Sequence, residues 1–204
     1  MNRSVRMSPI KLGITGGIGS GKSVVCRLLQ LMGVPVYSSD DETKRLMVSD
    51  EVIRCGLTSL LGPEVYQAGA LNKPLVAAYL FASAQHAATI NALVHPRVKE
   101  DFLRWVLAHA DYPVVAIESA ILVEAGFADV VDQVVSVEAP LETRIRRAML
   151  RDEASREQIT QRIQRQMADE ERRTQAHRII QNDDFTPLIP QVLELIASLY
   201  RNND

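Results

Sequence analysis

The chain has 204 residues, 47% of them hydrophobic and 24% charged, with a formal net charge of −2. That is the makeup of an ordinary globular protein, long enough to bury a proper core without staples. The near balance of charge offers no basic footprint for nucleic acid or a membrane surface, and no run nears the ~18 apolar residues of a membrane span. The two cysteines, Cys26 and Cys55, sit in helical stretches outside any CxxC or Cys/His cluster. They read as buried thiols, not as a zinc site or a disulfide framework. The opening MNRSVRMSPIKLG lacks the apolar core and cleavage site of a signal peptide, so the expected address is the cytoplasm.

In chain order, IKLGIT (Ile10–Thr15) is an apolar run that reads as a buried strand. It ends at a glycine cluster. After Lys22, Val24, Val25, Leu28, Leu29 and Met32 recur at helical spacing, and Gly33 follows as a stop. VPVYSSD (Val34–Asp40) reads as a second strand with polar residues at its end, and DETKRLM then starts a helix. From Glu51 to Ala110 the pattern is helical: VIRCGLTSLLG, KPLVAAYLF, AQHAATINALV and RVKEDFLRWVLAHA, separated by turns, with no strong strand. YPVVAIES (Tyr112–Ser119) is a third strand ending on an acidic residue, and DQVVSVEAP (Asp132–Pro140) a fourth. LETRIRRAMLRD is a helix, and the charged stretch Glu153–Gln175 reads as helical too. HRIIQND (His177–Asp183) is a short fifth strand before a last helix, TPLIPQVLELIASLY.

Alternating strands and helices imply an α/β fold: a parallel five-stranded sheet with helices on both faces. Its ligand site belongs at the carboxyl ends of the strands. Residues 1–50, 111–140 and 174–204 form the expected core. Residues 51–110 read as a helical insertion and 141–173 as a helical lid.

The glycine cluster is GGIGSGKS (Gly16–Ser23), which fits G-x-x-x-x-G-K-[ST] and lies between a strand and a helix as that motif requires. Glycines let successive N–H groups turn inward on phosphate oxygens, and the next helix aims its positive end at the same point. Gly17, Ile18, Gly19, Ser20, Gly21, Lys22, Ser23 and Val24 are the candidate nucleotide-binding residues. Lys22 should reach the β/γ-phosphates and Ser23 a Mg²⁺ ion. The rival dinucleotide fingerprint fails because Lys22 occupies its third glycine. A GTPase switch fails too: no Asp has Gly three residues later, and NKPL at Asn72 lacks the final Asp of N-K-x-D. What remains is a small-molecule kinase whose lid keeps water from the triphosphate, or a nucleotide-binding module without transfer.

Asp40, at the end of the second strand, is the candidate base for an acceptor hydroxyl, with a helix cap as its other reading. Asp41 is placed to act as an N-terminal helix charge. Glu118, ending the third strand, is a candidate to hold Mg²⁺ through water, or a solvated strand end. Arg144, Arg147 and Arg151 share one helix face, either to offset phosphoryl charge or as a solvated face paired with Glu142, Asp152 and Glu153. Arg172 and Arg173 carry the same two readings. His95, just before Pro96, reads as the start of a helix in the insertion.

As a set these residues resemble the dephospho-CoA kinase family, from about Lys11 to Asn182. The resemblance runs through LGITGGIGSGKS, VPVYSSD, LNKPLVAAYLF…LVHPRV, ESAILVEAGF, RIRRAMLRD, RIQRQM and IIQND. It implies ATP-dependent phosphorylation of the ribose 3′-hydroxyl of dephospho-CoA with Mg²⁺. It implies Asp40 as base, Lys22 and Arg147 on the moving phosphoryl group, and the insertion, with Lys73 and His95, on the substrate. A chain of this size is expected to act as a monomer or small homo-oligomer. Three positions depart from the family pattern. Ser38 stands where an acidic residue is frequent, Lys73 where arginine is usual, and His177 where an acidic residue is common. Lysine cannot reproduce a bidentate arginine contact. Ser38 leaves Asp40 as the carboxylate of that strand end on its side.

Overall fold

A computed structural model describes residues 8–201. The chain divides into two compact units, one holding the residues up to Tyr37 and from Val106 onward, the other Ser38–Trp105. The second unit therefore takes in Ser38–Asp50 as well as most of the expected insertion, and residues 141–173 fall within the first.

In chain order the elements are β1 (Ile10–Thr15), α1 (Lys22–Leu31), β2 (Val36–Ser38), α2 (Ser39–Ser49), α3 (Glu51–Leu61), β3 (Tyr66–Gln67), β4 (Ala70–Leu71), α4 (Lys73–Ala82) and α5 (Ala84–Ala108). Then follow β5 (Val114–Glu118), β6 (Gln133–Glu138), α6 (Leu141–Asp152), α7 (Arg156–Gln164), α8 (Asp169–Gln175), β7 (Arg178–Gln181) and α9 (Leu188–Arg201).

The first unit is built on a five-stranded sheet of order β2-β5-β1-β6-β7. The β1–β5, β1–β6 and β6–β7 ladders are parallel. The buried stretches Leu12–Thr15 of β1, Val114–Ile117 of β5 and Val134–Val137 of β6 suit strands covered on both faces. One face carries α1 and α9, where Val25 and Leu29 meet Val192, Leu195 and Leu199 across Leu12 and Ile14. The apolar residues of α9 recur at intervals of three and four, which is what gives that helix a buried stripe. On the other face Gly13 lies so close to Leu122 that an added Cβ would sit 2.8 Å from its methyl. A satellite cluster of Ile145, Ala148 and Ile159 joins α6 to α7, and Ile18 of the glycine loop packs on it.

In this order β2 lies beside β5 and not beside β1, its predecessor in the chain. Just before β7 stands His177, whose Nδ1 accepts from the Val134 N–H at 3.0 Å while its own N–H reaches the Val134 carbonyl. A histidine there extends the ladder by side-chain mimicry.

In the second unit, α2 and α3 are capped by Ser38 and Asp50, which accept from the N–H groups of Asp41 and Ile53. The expected strandless stretch contains one short antiparallel hairpin, β3–β4. The two helices expected across His95 and Pro96 are one, α5, with Pro96 inside it. Ile90, Val94, Val98 and Phe102, four residues apart, are all buried along it. Continuous packing on that stripe offsets the single hydrogen bond that proline removes. Cys26 is buried as expected, but Cys55 is exposed. It stands two residues from both Ile53 and Leu57, the buried pair of α3, and so falls off their stripe.

Candidate active site

The glycine loop follows β1 and opens α1, so its N–H groups lie at the carboxyl edge of the sheet and at a helix N-terminus. Ser20 N–H donates to the Gly17 carbonyl at 3.1 Å, closing a β-turn over Gly17–Ser20. Gly19 has φ +75° and Ile18 is not in the positive region, which makes the turn type II. Gly21 is the N-cap of α1, with φ 94° and ψ 25°. The Ser20 hydroxyl is buried and has no hydrogen-bond partner among the described residues. Lys22 folds back over the loop, its Nζ donating to the Gly16 carbonyl at 2.9 Å and to that of Gly17 at 3.3 Å.

Ser23, one residue into α1, donates its Oγ to Glu118 Oε1 at 3.0 Å. A hydroxyl and a carboxylate from two elements thus meet at the strand end, which is the hard-oxygen donor set that Mg²⁺ takes. Among the described residues no cluster of three His, Cys, Asp or Glu could cage a metal alone. Cys26 lies behind this pair, where burial and then the Glu118 charge push its thiol well up.

The arginines of α6 separate. Arg144 is 2% exposed, which removes it from any solvated face. Its Nε donates to the Ile18 carbonyl at 3.0 Å, and its Nη1 to both oxygens of Asp169, at 2.8 and 2.7 Å. Arg172 is buried as well and reaches Asp169 and the Met167 carbonyl, both at 2.7 Å. Burial pushes the Asp169 carboxyl up, but Arg172 and Arg144 outweigh it and hold it below the usual range. Arg147 is half-buried beside the loop, near Gly19 and Asn182, and pairs with Asp184. Arg151 is exposed and pairs with Asp152, as Arg173 does with Glu138.

Two side chains on the loop carry no signal in local spacing. Gln166 Oε1 accepts from the Ile18 N–H at 2.8 Å, and Asn182 Nδ2 donates to the Ser20 carbonyl at 2.8 Å. Both come from distant links, after α7 and after β7, and their motifs RIQRQM and IIQND were the only trace of them.

In the second unit Asp40 is exposed and lies in the first turn of α2, not at a strand end, because Ser38 already caps the helix. Asp41 is engaged by Ser38 and by Lys44 at 2.7 Å. No hydrogen bond or ion pair among the described residues engages Asp40. His95 is half-buried inside α5, where burial lowers its pKa. Lys73 is exposed at the first position of α4, next to the Asn72 cap. Asp50, buried at the start of α3, takes three contacts from Arg97, at 3.2, 3.1 and 2.8 Å.

Residues 10–187 match the model of the family described as dephospho-CoA kinase. A dephospho-CoA kinase of Bacteroides fragilis is 57% identical over 192 residues, covering 94% of each chain. One of Porphyromonas gingivalis is 40% identical over 93% of this chain and 94% of its own. A solved structure from Thermus thermophilus is 33% identical, covers 94% of this chain and 98% of its own, and superposes with a TM-score of 0.82. Dephospho-CoA kinase from Campylobacter jejuni, 18% identical, shares the fold with a TM-score of 0.69 over 95% of this chain and 98% of its own.

Proposed function

The chain belongs to the dephospho-CoA kinase family, and on that premise we propose how its residues divide the work of phosphoryl transfer. The reaction moves the γ-phosphoryl group of ATP to the ribose 3′-hydroxyl of dephospho-CoA and yields coenzyme A. A bond forms between the 3′-oxygen and the γ-phosphorus, and the bond from that phosphorus to the bridging oxygen breaks. ADP leaves, and the hydroxyl proton needs an acceptor.

The loop Gly16–Ser23 holds the triphosphate. Lys22, folded over Gly16 and Gly17 at the head of α1, is the observation that carries this reading. Its ammonium and the Arg147 guanidinium offset the charge spreading over the equatorial oxygens of the moving group. Arg147 must then exchange Asp184 for phosphate. Asp40 takes the proton of the 3′-hydroxyl. Its place in a helix turn, with Asp41 engaged by Ser38 and Lys44 and Glu42 by Arg45, leaves it the available carboxylate of that turn. Ser23 and Glu118 would hold Mg²⁺, which when bound would supply charge neutralisation to the triphosphate. Lys73 and His95 face the acceptor. Lys73 does so as a point charge at the start of α4, and His95 as the neutral ring that burial favours. The enzyme works in the cytoplasm, a reading supported by two cysteines kept as free thiols.

Asp40→Asn tests the assignment. It should lower kcat by about a hundredfold or more, the size of a lost general base, while ATP affinity by calorimetry stays near wild type. Wild-type turnover in that variant removes Asp40 as the base.

A further inference from the structure

We propose that Arg144 is a positioning residue that sets the direction of the Gly19 N–H in the phosphate loop, and that Asp169 and Arg172 hold it to that task. The inference rests on the loop being the ATP cradle and deepens that reading.

One peptide plane sets that direction. Ile18 and Gly19 are the middle residues of the type II turn Gly17–Ser20. Type I and type II turns differ chiefly by a flip of the peptide between their middle residues. A trans peptide is planar, so its C=O and N–H point in opposite directions. Arg144 Nε donates to the Ile18 carbonyl and so holds that carbonyl toward α6. The Gly19 N–H must then point away from α6, and among the described residues it has no protein acceptor. Gln166 takes the Ile18 N–H and pins the preceding peptide in the same way. With the flip suppressed, the Gly19 N–H stands ready for a phosphate oxygen before the nucleotide arrives.

The clamp is built for this single geometry. The Arg144 guanidinium lies on Gly17, where an added Cβ would fall 2.0 Å from Nη2. An added Cβ at Gly19 would fall 2.2 Å from the Arg144 carbonyl. The far side of the guanidinium is gripped by both oxygens of Asp169, which Arg172 fixes in turn. A planar fork serves the Ile18 carbonyl and a carboxylate at once in one fixed geometry. The role differs from that of Arg147: Arg144 acts through the loop backbone and not on phosphate.

Arg144→Met keeps the bulk, removes the donor and leaves Asp169 paired with Arg172. The expected result is a KM for ATP raised about tenfold or more, the size of one charge-assisted hydrogen bond, with the KM for dephospho-CoA unchanged. In ¹⁵N spectra of the ligand-free protein, the Gly19 amide should shift or broaden as its peptide samples both orientations. That readout needs no nucleotide, so it fails independently of the ATP assignment. Gly17→Ala provides a second route should Arg144→Met fold poorly. It displaces the guanidinium without touching the core, at a position with no positive φ. It should reproduce the Gly19 change, and adding it to Arg144→Met should raise the KM for ATP less than twofold further. An unchanged Gly19 amide in the folded variants overturns the proposal. So does an unchanged KM for ATP, or full multiplication of the two effects.

Discussion

Gly21→Ala puts the geometry of the phosphate loop to a quantitative test. Gly21 has φ 94° and ψ 25°, a left-handed conformation that costs a residue with a Cβ about 1–2 kcal/mol. The new Cβ would also lie 2.0 Å from Asn182 Nδ2. The Asn182 backbone cannot retreat, because its N–H is bound to the Glu138 carbonyl at 2.7 Å. Its side chain must therefore swing away and give up the bond to the Ser20 carbonyl, another ~1 kcal/mol. The total is about 2–3 kcal/mol. If the loop keeps its shape, the cost appears as a lower Tm, at roughly 2–4 °C per kcal/mol for a chain of this size. If the loop relaxes, the cost returns when ATP restores the shape, as roughly a 30- to 150-fold loss of affinity. Calorimetry of ATP binding and thermal unfolding should together account for the total. In an Asn182→Ala background the contact is gone, and Gly21→Ala should cost only the backbone strain. A variant with wild-type Tm and ATP affinity would refute the reasoning.

Glu118→Gln removes the charge facing Ser23 and should raise the Mg²⁺ concentration for half-maximal activity by about ten- to a hundredfold; an unchanged Mg²⁺ profile counts against the pair as its holder. Asp50→Asn keeps the helix cap but removes the charge that Arg97 grips. Arg97 holds the folded Asp50 carboxyl below the usual range. On acidification the unfolded chain therefore takes up the proton first. The stabilisation from this carboxylate is full above about pH 4 and disappears as pH falls through the folded value. The Tm gap between wild type and Asp50→Asn should accordingly be widest near neutrality and close in acid. A gap that does not change with pH rules out the charge as its cause.

The parts of the fold that depend on contiguous residues were legible in the sequence. A strand, eight residues of loop and a helix follow one another from Ile10 to Leu31, so both the cradle and the roles expected of Lys22 and Ser23 could be read in order. The place of Glu118 was legible because a strand end puts its last residue at the carboxyl edge of the sheet. What stayed hidden depends on pairs far apart in the chain. Nothing in VPVYSSD says that β2 chooses β5 over β1. Asp40 moved from strand end to helix turn because Ser38 caps earlier than the apolar pattern suggests. Pro96 looked like a break because its lost bond is local, whereas the buried stripe of α5 that offsets it extends from Ile90 to Phe102. Arg144 looked like one of three equivalent arginines on a helix face, facing phosphate or solvent, because its carboxylate lies on α8, 25 residues away.

The most direct test of the account is mass spectrometry of dephospho-CoA incubated with ATP, Mg²⁺ and this protein, with the product mapped by fragmentation. The account predicts a product heavier by one phosphoryl group, carried on the ribose 3′-oxygen, and an equal amount of ADP. ADP and free phosphate with unmodified dephospho-CoA, or no turnover at all, would contradict it.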